Sequence, residues 1–170
     1  MTEQVADLRT LALKNECQTQ YQNAGYTALS FTIWLRFLRW VKVFALSAPV
    51  IFAALATKEI VSDSSPTLAA VFALLAAIIP PTFQAAGLED SIRDYTRLAG
   101  EFTNLRDRFR QLEEICSLKP FAEFEAAFAS TFTRMEKARS KALSPPEWTF
   151  KCAQKKWQKG HYDPDPKPAK

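Results

Sequence analysis

Histidine occurs once in these 170 residues, glycine four times and cysteine three times. Each scarcity closes off a class of chemistry. Cys17, Cys116 and Cys152 are odd in number and form no CxxC pair. Neither a disulfide framework nor a Cys/His zinc site is therefore expected, and the thiols are read as reduced. Four scattered glycines leave no glycine-rich phosphate loop. His161 sits in a proline-rich tail with no serine or cysteine partner nearby, so no nucleophile–base arrangement is available and no enzyme is expected. The carboxylate pairs Glu89-Asp90 and Glu113-Glu114 fall on charged helical faces, where solvation is their default role. No cleavable signal peptide is expected, because the first apolar run starts only near Ile33.

Charge is missing from two stretches. The chain is 48% hydrophobic with a mean hydropathy of -0.15, but the apolar residues are concentrated in positions 43–87. Residues 43–57 (VFALSAPVIFAALAT) and 64–88, centred on LAAVFALLAAII, carry no charge. The first stretch is about 22 Å of helix at 1.5 Å per residue, short of a hydrocarbon core of roughly 30 Å. Extending it back to Phe37, with Arg39 and Lys42 snorkelling, closes the gap. Two membrane spans are thus expected at about 37–57 and 66–87. Pro49 is expected to kink the first. Ala69, Ala73 and Ala77 form a small-residue stripe on the second, on which another helix can pack closely. Trp34, Phe37 and Trp40 alternate with Arg36, Arg39 and Lys42, the mixture that a membrane interface selects. Cations flank the outer ends of the hairpin (Arg36, Arg39, Lys42, Arg93, Arg97), while Lys58 alone lies in the turn, beside Glu59 and Asp63. The positive-inside rule then places both termini in the cytoplasm. The competing reading is the core of a soluble helical bundle.

The remaining segments carry helical periodicity, and the fold class is all-α. Residues 1–32 form an N-terminal cytoplasmic helix, with Cys17, Tyr21, Ala24, Ala28, Phe31 and Leu35 on one face and only Gly25 as a breaker. Residues 33–87 form the two-span hairpin. Residues 88–143 form a cytoplasmic helical hairpin. In it, Leu88, Ile92, Tyr95, Leu98 or Ala99, Phe102, Leu105, Phe109 and Leu112 make a coiled-coil-like seam. The partner helix presents Phe121, Phe124, Phe128, Phe132 and Met135, after a turn at Lys119-Pro120. The helix from position 88 is expected to continue from the second span with little or no break. Residues 144–160 form a short basic helix that Ser144 caps, with Pro145 at its first position and Glu147 reaching back, and that Gly160 ends. Residues 161–170 form a flexible tail.

Two groups of residues are candidates for function. Several copies of the hairpin would place Glu59 and Asp63 as acidic rings at the outer mouth of a pore and Glu89 and Asp90 at the inner mouth, with Thr57, Thr82 and Gln84 along the path. Acidic rings favour cations; plain anchoring explains the hairpin equally well. The second group is basic: Arg106, Arg108 and Arg110, with Lys151, Lys155, Lys156 and Lys159 between Trp148 and Trp157. With a net charge of +4, such a surface suits phosphates and stacked bases or an anionic leaflet.

The order of elements resembles the SLATT family, two-transmembrane effectors associated with SMODS nucleotidyltransferases and SLOG sensors in bacterial defence loci. The resemblance is carried by the N-terminal helix, the hairpin at 43–57 and 68–86, the run Tyr95-Thr96-Arg97-Leu98-Ala99 with Glu101-Phe102 and Leu105, and the ending Pro145-Pro146, Ala153-Gln154-Lys155-Lys156 and Gly160-His161-Tyr162. It implies a homo-oligomer, expected as a tetramer, that permeabilises the bacterial inner membrane during phage infection. It implies regulation by a nucleotide or short single-stranded DNA made by a partner nucleotidyltransferase, as in the Hailong-type arrangement, where the oligomer holds the channel closed. No cofactor is implied. A non-conducting membrane anchor or scaffold for a cytoplasmic partner is the alternative.

Overall fold

A computed structural model describes residues 2–61 and 65–159, and every regular element among them is helical. Helix α1 spans Thr2–Val61, α2 Pro66–Ala85, α3 Leu88–Glu114, α4 Phe121–Ser140 and α5 Glu147–Gln158, with a 3₁₀ turn at Cys116–Leu118. The chain is all-α, as its periodicity predicts. It divides into two units. Unit 1 comprises Met1–Trp34 and Tyr95–Lys170, and unit 2 comprises Leu35–Asp94. Asp63, Gly160 and the tail at 161–170 lie outside the described residues.

Unit 1 is built on helical stripes. On α1, Cys17, Gln20, Ala24, Ala28 and Phe31 are buried, stepping by three and four. On α3 the buried set is Tyr95, Leu98, Ala99, Phe102, Leu105, Phe109 and Leu112, a 3.6-residue periodicity that turns one side inward and leaves the acidic and basic side to water. The aromatic core runs through Phe31, whose ring centroid lies 5.5 Å from Phe102 and 5.8 Å from Tyr95, spacings typical of favourable tilted pairs. On α4 the deep positions are Phe124, Thr131, Met135 and Ala138, while Phe121, Phe128 and Phe132 are half-buried. The face therefore drifts from the expected phenylalanine stripe. Thr131 can take an inner position because its hydroxyl donates to the Ala127 carbonyl at 3.0 Å, leaving its methyl group to pack.

Two expected features of local structure need correction. Helix α5 begins at Glu147 with Pro146 as its N-cap and no side-chain cap, instead of beginning at Ser144. The physical reason is the proline pair. A residue that precedes proline is pushed out of the helical region, so neither Ser144 nor Pro145 can open the helix, and Pro146 holds the non-helical N-cap position (φ -56°, ψ 144°). Thr149 closes this end from inside, its amide and hydroxyl donating to the Pro146 carbonyl at 3.0 and 2.7 Å. The second correction is the junction of α2 and α3. Gly87 takes φ 60°, the left-handed conformation that glycine adopts without a Cβ penalty, and the helices are separate.

Unit 2 pairs the second half of α1 with α2. Ala45, Ala48 and Ala56 on α1 and Ala69 on α2 are buried, and Phe52 stacks on Phe72 at 6.1 Å. Small side chains let the two backbones approach along this one face. Ala73 and Ala77 are exposed and take no part in it. The other faces are apolar and uncovered: Val50 is 70% exposed, Phe44 61% and Leu74 59%. The most apolar stretches of α1 and α2 are only 17% and 6% buried, and both helices are long and apolar enough to cross a membrane.

Candidate functional site

Unit 2 holds a cavity of about 570 Å³ opening between α1, α2 and the first turn of α3. Lys42, Ala45, Leu46 and Pro49 supply one wall, Pro80, Phe83 and Gln84 the opposite one, and Gly87, Leu88, Glu89 and Asp90 the end. The glycine turn makes this end possible: it stops α2 and redirects the chain so that Glu89 reaches α1. Lys42 Nζ donates to Glu89 Oε1 at 2.7 Å. This hydrogen bond and the ammonium charge hold the Glu89 carboxyl below its ordinary range, with Arg93 adding a weaker pull. Asp90 pairs with Arg93 at 3.5 Å, both fully in solvent reach.

Of the pore candidates, Gln84, Glu89 and Asp90 come together at this cavity. Thr57, Glu59 and Thr82 lie away from it. The Thr57 hydroxyl donates to the Ala53 carbonyl at 2.9 Å, and that of Thr82 to the Ile78 carbonyl. Both donors are therefore engaged on their own helix. Glu59 is half-buried. Sequence reasoning treated Lys42 only as an interfacial cation and did not couple it to Glu89, which is 47 residues away.

In unit 1 the basic candidates have different surroundings. Trp157 packs flat against α1 at Gly25, between Tyr21 (5.9 Å) and Tyr26 (5.0 Å). A Cβ at Gly25 would run into the Trp157 ring, so glycine is what admits the indole. Trp148 meets the Trp34 edge at 6.0 Å. Trp157 thus docks α5 and its ring is not a free stacking platform, whereas Trp148 stays 44% exposed. Arg106 forks onto Asp107 (3.0 and 2.8 Å) and, with Trp157 and Thr103, lines a small cavity of about 210 Å³. Lys151 pairs with Glu147 at 2.9 Å. Arg108, Lys155 and Lys159 are exposed, and Lys156 and Arg110 half-buried. The Arg110 Nε is buried without a hydrogen-bond partner.

A second unit 1 cavity, of about 510 Å³, was not legible in the sequence. Asn23, Tyr26 and Thr27 of α1 line it with Phe150 and Gln154 of α5 and with Arg139 of α4, whose guanidinium also donates to Gln20 Oε1 at 3.1 Å. Two aromatic rings, two carboxamides and a guanidinium suit a planar polar ring attached to an anion. The signal available was helical phase: Asn23/Tyr26/Thr27 and Phe150/Gln154 each step by three or four.

Among the described residues, no three histidines, cysteines or carboxylates gather as metal ligands. Comparison with family models, curated proteins and solved structures gives no match. What the sites can do must follow from their own residues.

Proposed function

We propose that the chain is a membrane-embedded effector. The second half of α1 and α2 cross the bacterial inner membrane as a hairpin, both termini lie in the cytoplasm, and several copies form an ion-conducting pore of an antiviral defence system. The observation that supports this most is the exposure of apolar side chains around unit 2. A helix apolar on every face needs an apolar surrounding, and within this chain only one face of each helix is covered. In lipid the remaining faces cost nothing, and closed backbone hydrogen bonding makes a helix a permissible spanning element.

Two helices cannot enclose a path, so conduction requires an assembly, for which a tetramer is the proposed size. Exposed Ala73 and Ala77 would let neighbouring copies approach. At the inner mouth the carboxylates are already paired with Lys42 and Arg93, so cation selectivity there would be weak. A nucleotide or short single-stranded DNA from a partner nucleotidyltransferase would gate the assembly by binding its closed and open states with different affinity. The aromatic–carboxamide cavity lined by Tyr26, Phe150 and Arg139 is the place proposed for it.

The test is a planar-bilayer recording of the purified full chain. The expected result is ligand-dependent conductance in the parent chain and conductance that no longer responds to the ligand in Tyr26→Ala. A membrane-inserted chain that never conducts would leave the second reading, an anchor or scaffold. That reading draws on the Thr57 and Thr82 hydroxyls, which turn back onto their own helices, and on the charge-free stretches 43–57 and 66–85, which offer an ion no charged group.

A further inference from the structure

We propose that the unit 2 cavity binds a single phospholipid whose headgroup carries a phosphate and a primary ammonium. The proposal rests on the membrane reading of unit 2. Three properties of the cavity lead to it. Its volume of about 570 Å³ falls in the range of small-ligand sites, enough for a headgroup and the start of an acyl chain. Its chemistry is divided: Lys42, Glu89 and Asp90 stand at one end, and Leu46, Pro49, Pro80 and Phe83 line the rest. That is the polarity of a lipid lying along a helix pair with its head at the interface.

The third property is the sign of the charges. A cation and a carboxylate 2.7 Å apart match a headgroup that carries one charge of each sign. The phosphate accepts from Lys42 Nζ, and the ammonium donates to Glu89 and Asp90. Pro49 supplies a further acceptor. Having no N–H, it withholds from the Ala45 carbonyl the donor that a helix would give it, and Ala45 lines this cavity. An acceptor at the edge of a bilayer is costly to leave without a donor. An anionic headgroup without an ammonium could meet Lys42 but would bring no donor to Glu89 and Asp90. A choline headgroup has the charge but no N–H to donate.

The experiment uses the full chain, purified in detergent and exposed to an equimolar mixture of phosphatidylethanolamine, phosphatidylcholine and phosphatidylglycerol, with retained lipid read by native mass spectrometry. The expected result is about tenfold preferential retention of phosphatidylethanolamine over phosphatidylcholine, the factor for one charge-assisted hydrogen bond near an interface, with phosphatidylglycerol retained least. The Glu89→Gln, Asp90→Asn double variant should lose that preference. Vesicle flotation of the same preparation reports insertion separately. A chain that floats but holds the three lipids equally, or whose preference survives in the double variant, overturns the lipid site and leaves the membrane reading standing. A chain that does not float overturns both.

Discussion

Replacing Gly25 with alanine pits two effects of opposite sign against each other. In the middle of a helix, alanine is favoured over glycine by about 0.8–1 kcal/mol, so an α1 that was free at this position would be stabilised. In the structure the added Cβ enters the Trp157 ring, while the Arg106 Cδ stands 3.4 Å away. The indole cannot slide aside easily, because Tyr21 and Tyr26 hold it on either side. Overpacking at such a contact costs roughly 1–3 kcal/mol, and complete undocking of the tryptophan costs about 3–5 kcal/mol. With a Cβ this close to the ring the clash falls in the upper part of that range and outweighs the propensity gain, so Gly25→Ala should destabilise unit 1 by up to about 2 kcal/mol. Denaturant unfolding in detergent, followed by tryptophan emission, measures this. The decisive arm is Trp157→Ala: in that background the obstruction is gone, and Gly25→Ala should turn stabilising by about 1 kcal/mol, a sign reversal in the double-mutant cycle. A Gly25→Ala variant more stable than the parent in both backgrounds would refute the docking of α5 through Trp157.

Other outcomes follow from the same packing. Phe102→Ala, which removes a ring 1% exposed between Phe31 and its neighbours, should cost about 3–5 kcal/mol in unfolding free energy. Burial, with help from Glu113 and Glu16, pushes the Cys17 thiol from 9.0 up to about 12. Cys152, exposed, should therefore be alkylated at neutral pH while Cys17 reacts only after unfolding. Because the folded thiol keeps its proton where the unfolded one loses it, this contribution is complete below pH 9 and declines as pH rises toward 12. The Glu89 carboxyl should titrate below the usual range by carbon NMR and return to it in Lys42→Ala. The pair's effect on stability is present at neutral pH and is lost as pH falls through the depressed Glu89 value.

The legible parts of the fold were those specified by local period. The α3 seam of Tyr95, Phe102, Leu105 and Phe109 is buried as spaced, because a stripe at three and four residues has only one way to face a core. The start of α5 was less legible because two rules competed at Ser144-Pro145-Pro146-Glu147. The capping pattern favours a start at serine, and the double proline forbids it. The tryptophans were ambiguous for a different reason. Trp148 and Trp157 have the chemistry of a stacking platform and of a packing anchor alike, and for Trp157 only the space at Gly25 decides between them. The Lys42–Glu89 pair depends on hairpin register. Lys42 lies 19 residues before the end of α1 (61 − 42), and α2 likewise runs 19 residues from its start to its end (85 − 66) before the Gly87 turn brings in Glu89. At 1.5 Å per residue both are about 28 Å from the hairpin turn, so the pair can meet, but the comparison needs helix ends that composition does not set.

The surroundings of unit 2 can be tested with one substitution whose cost depends almost entirely on the medium. Leu74 is on the uncovered side of α2 and 59% exposed. In water, lysine there would exchange an exposed apolar side chain for a polar one and change stability by no more than about 0.5 kcal/mol. In the middle of a bilayer the same change loses the favourable leucine and adds a lysine costing about 2.5–3.5 kcal/mol. Near the midplane the lysine stem is too short for its ammonium to reach either interface easily. Leu74→Lys should accordingly shift the chain markedly from the membrane fraction toward aggregation or degradation when cells expressing it are fractionated. Lys42→Leu, at the interface, should leave membrane partitioning intact. A Leu74→Lys protein that remains folded, abundant and soluble without detergent would show that water reaches this face, and the pore and the lipid site would both fall with it.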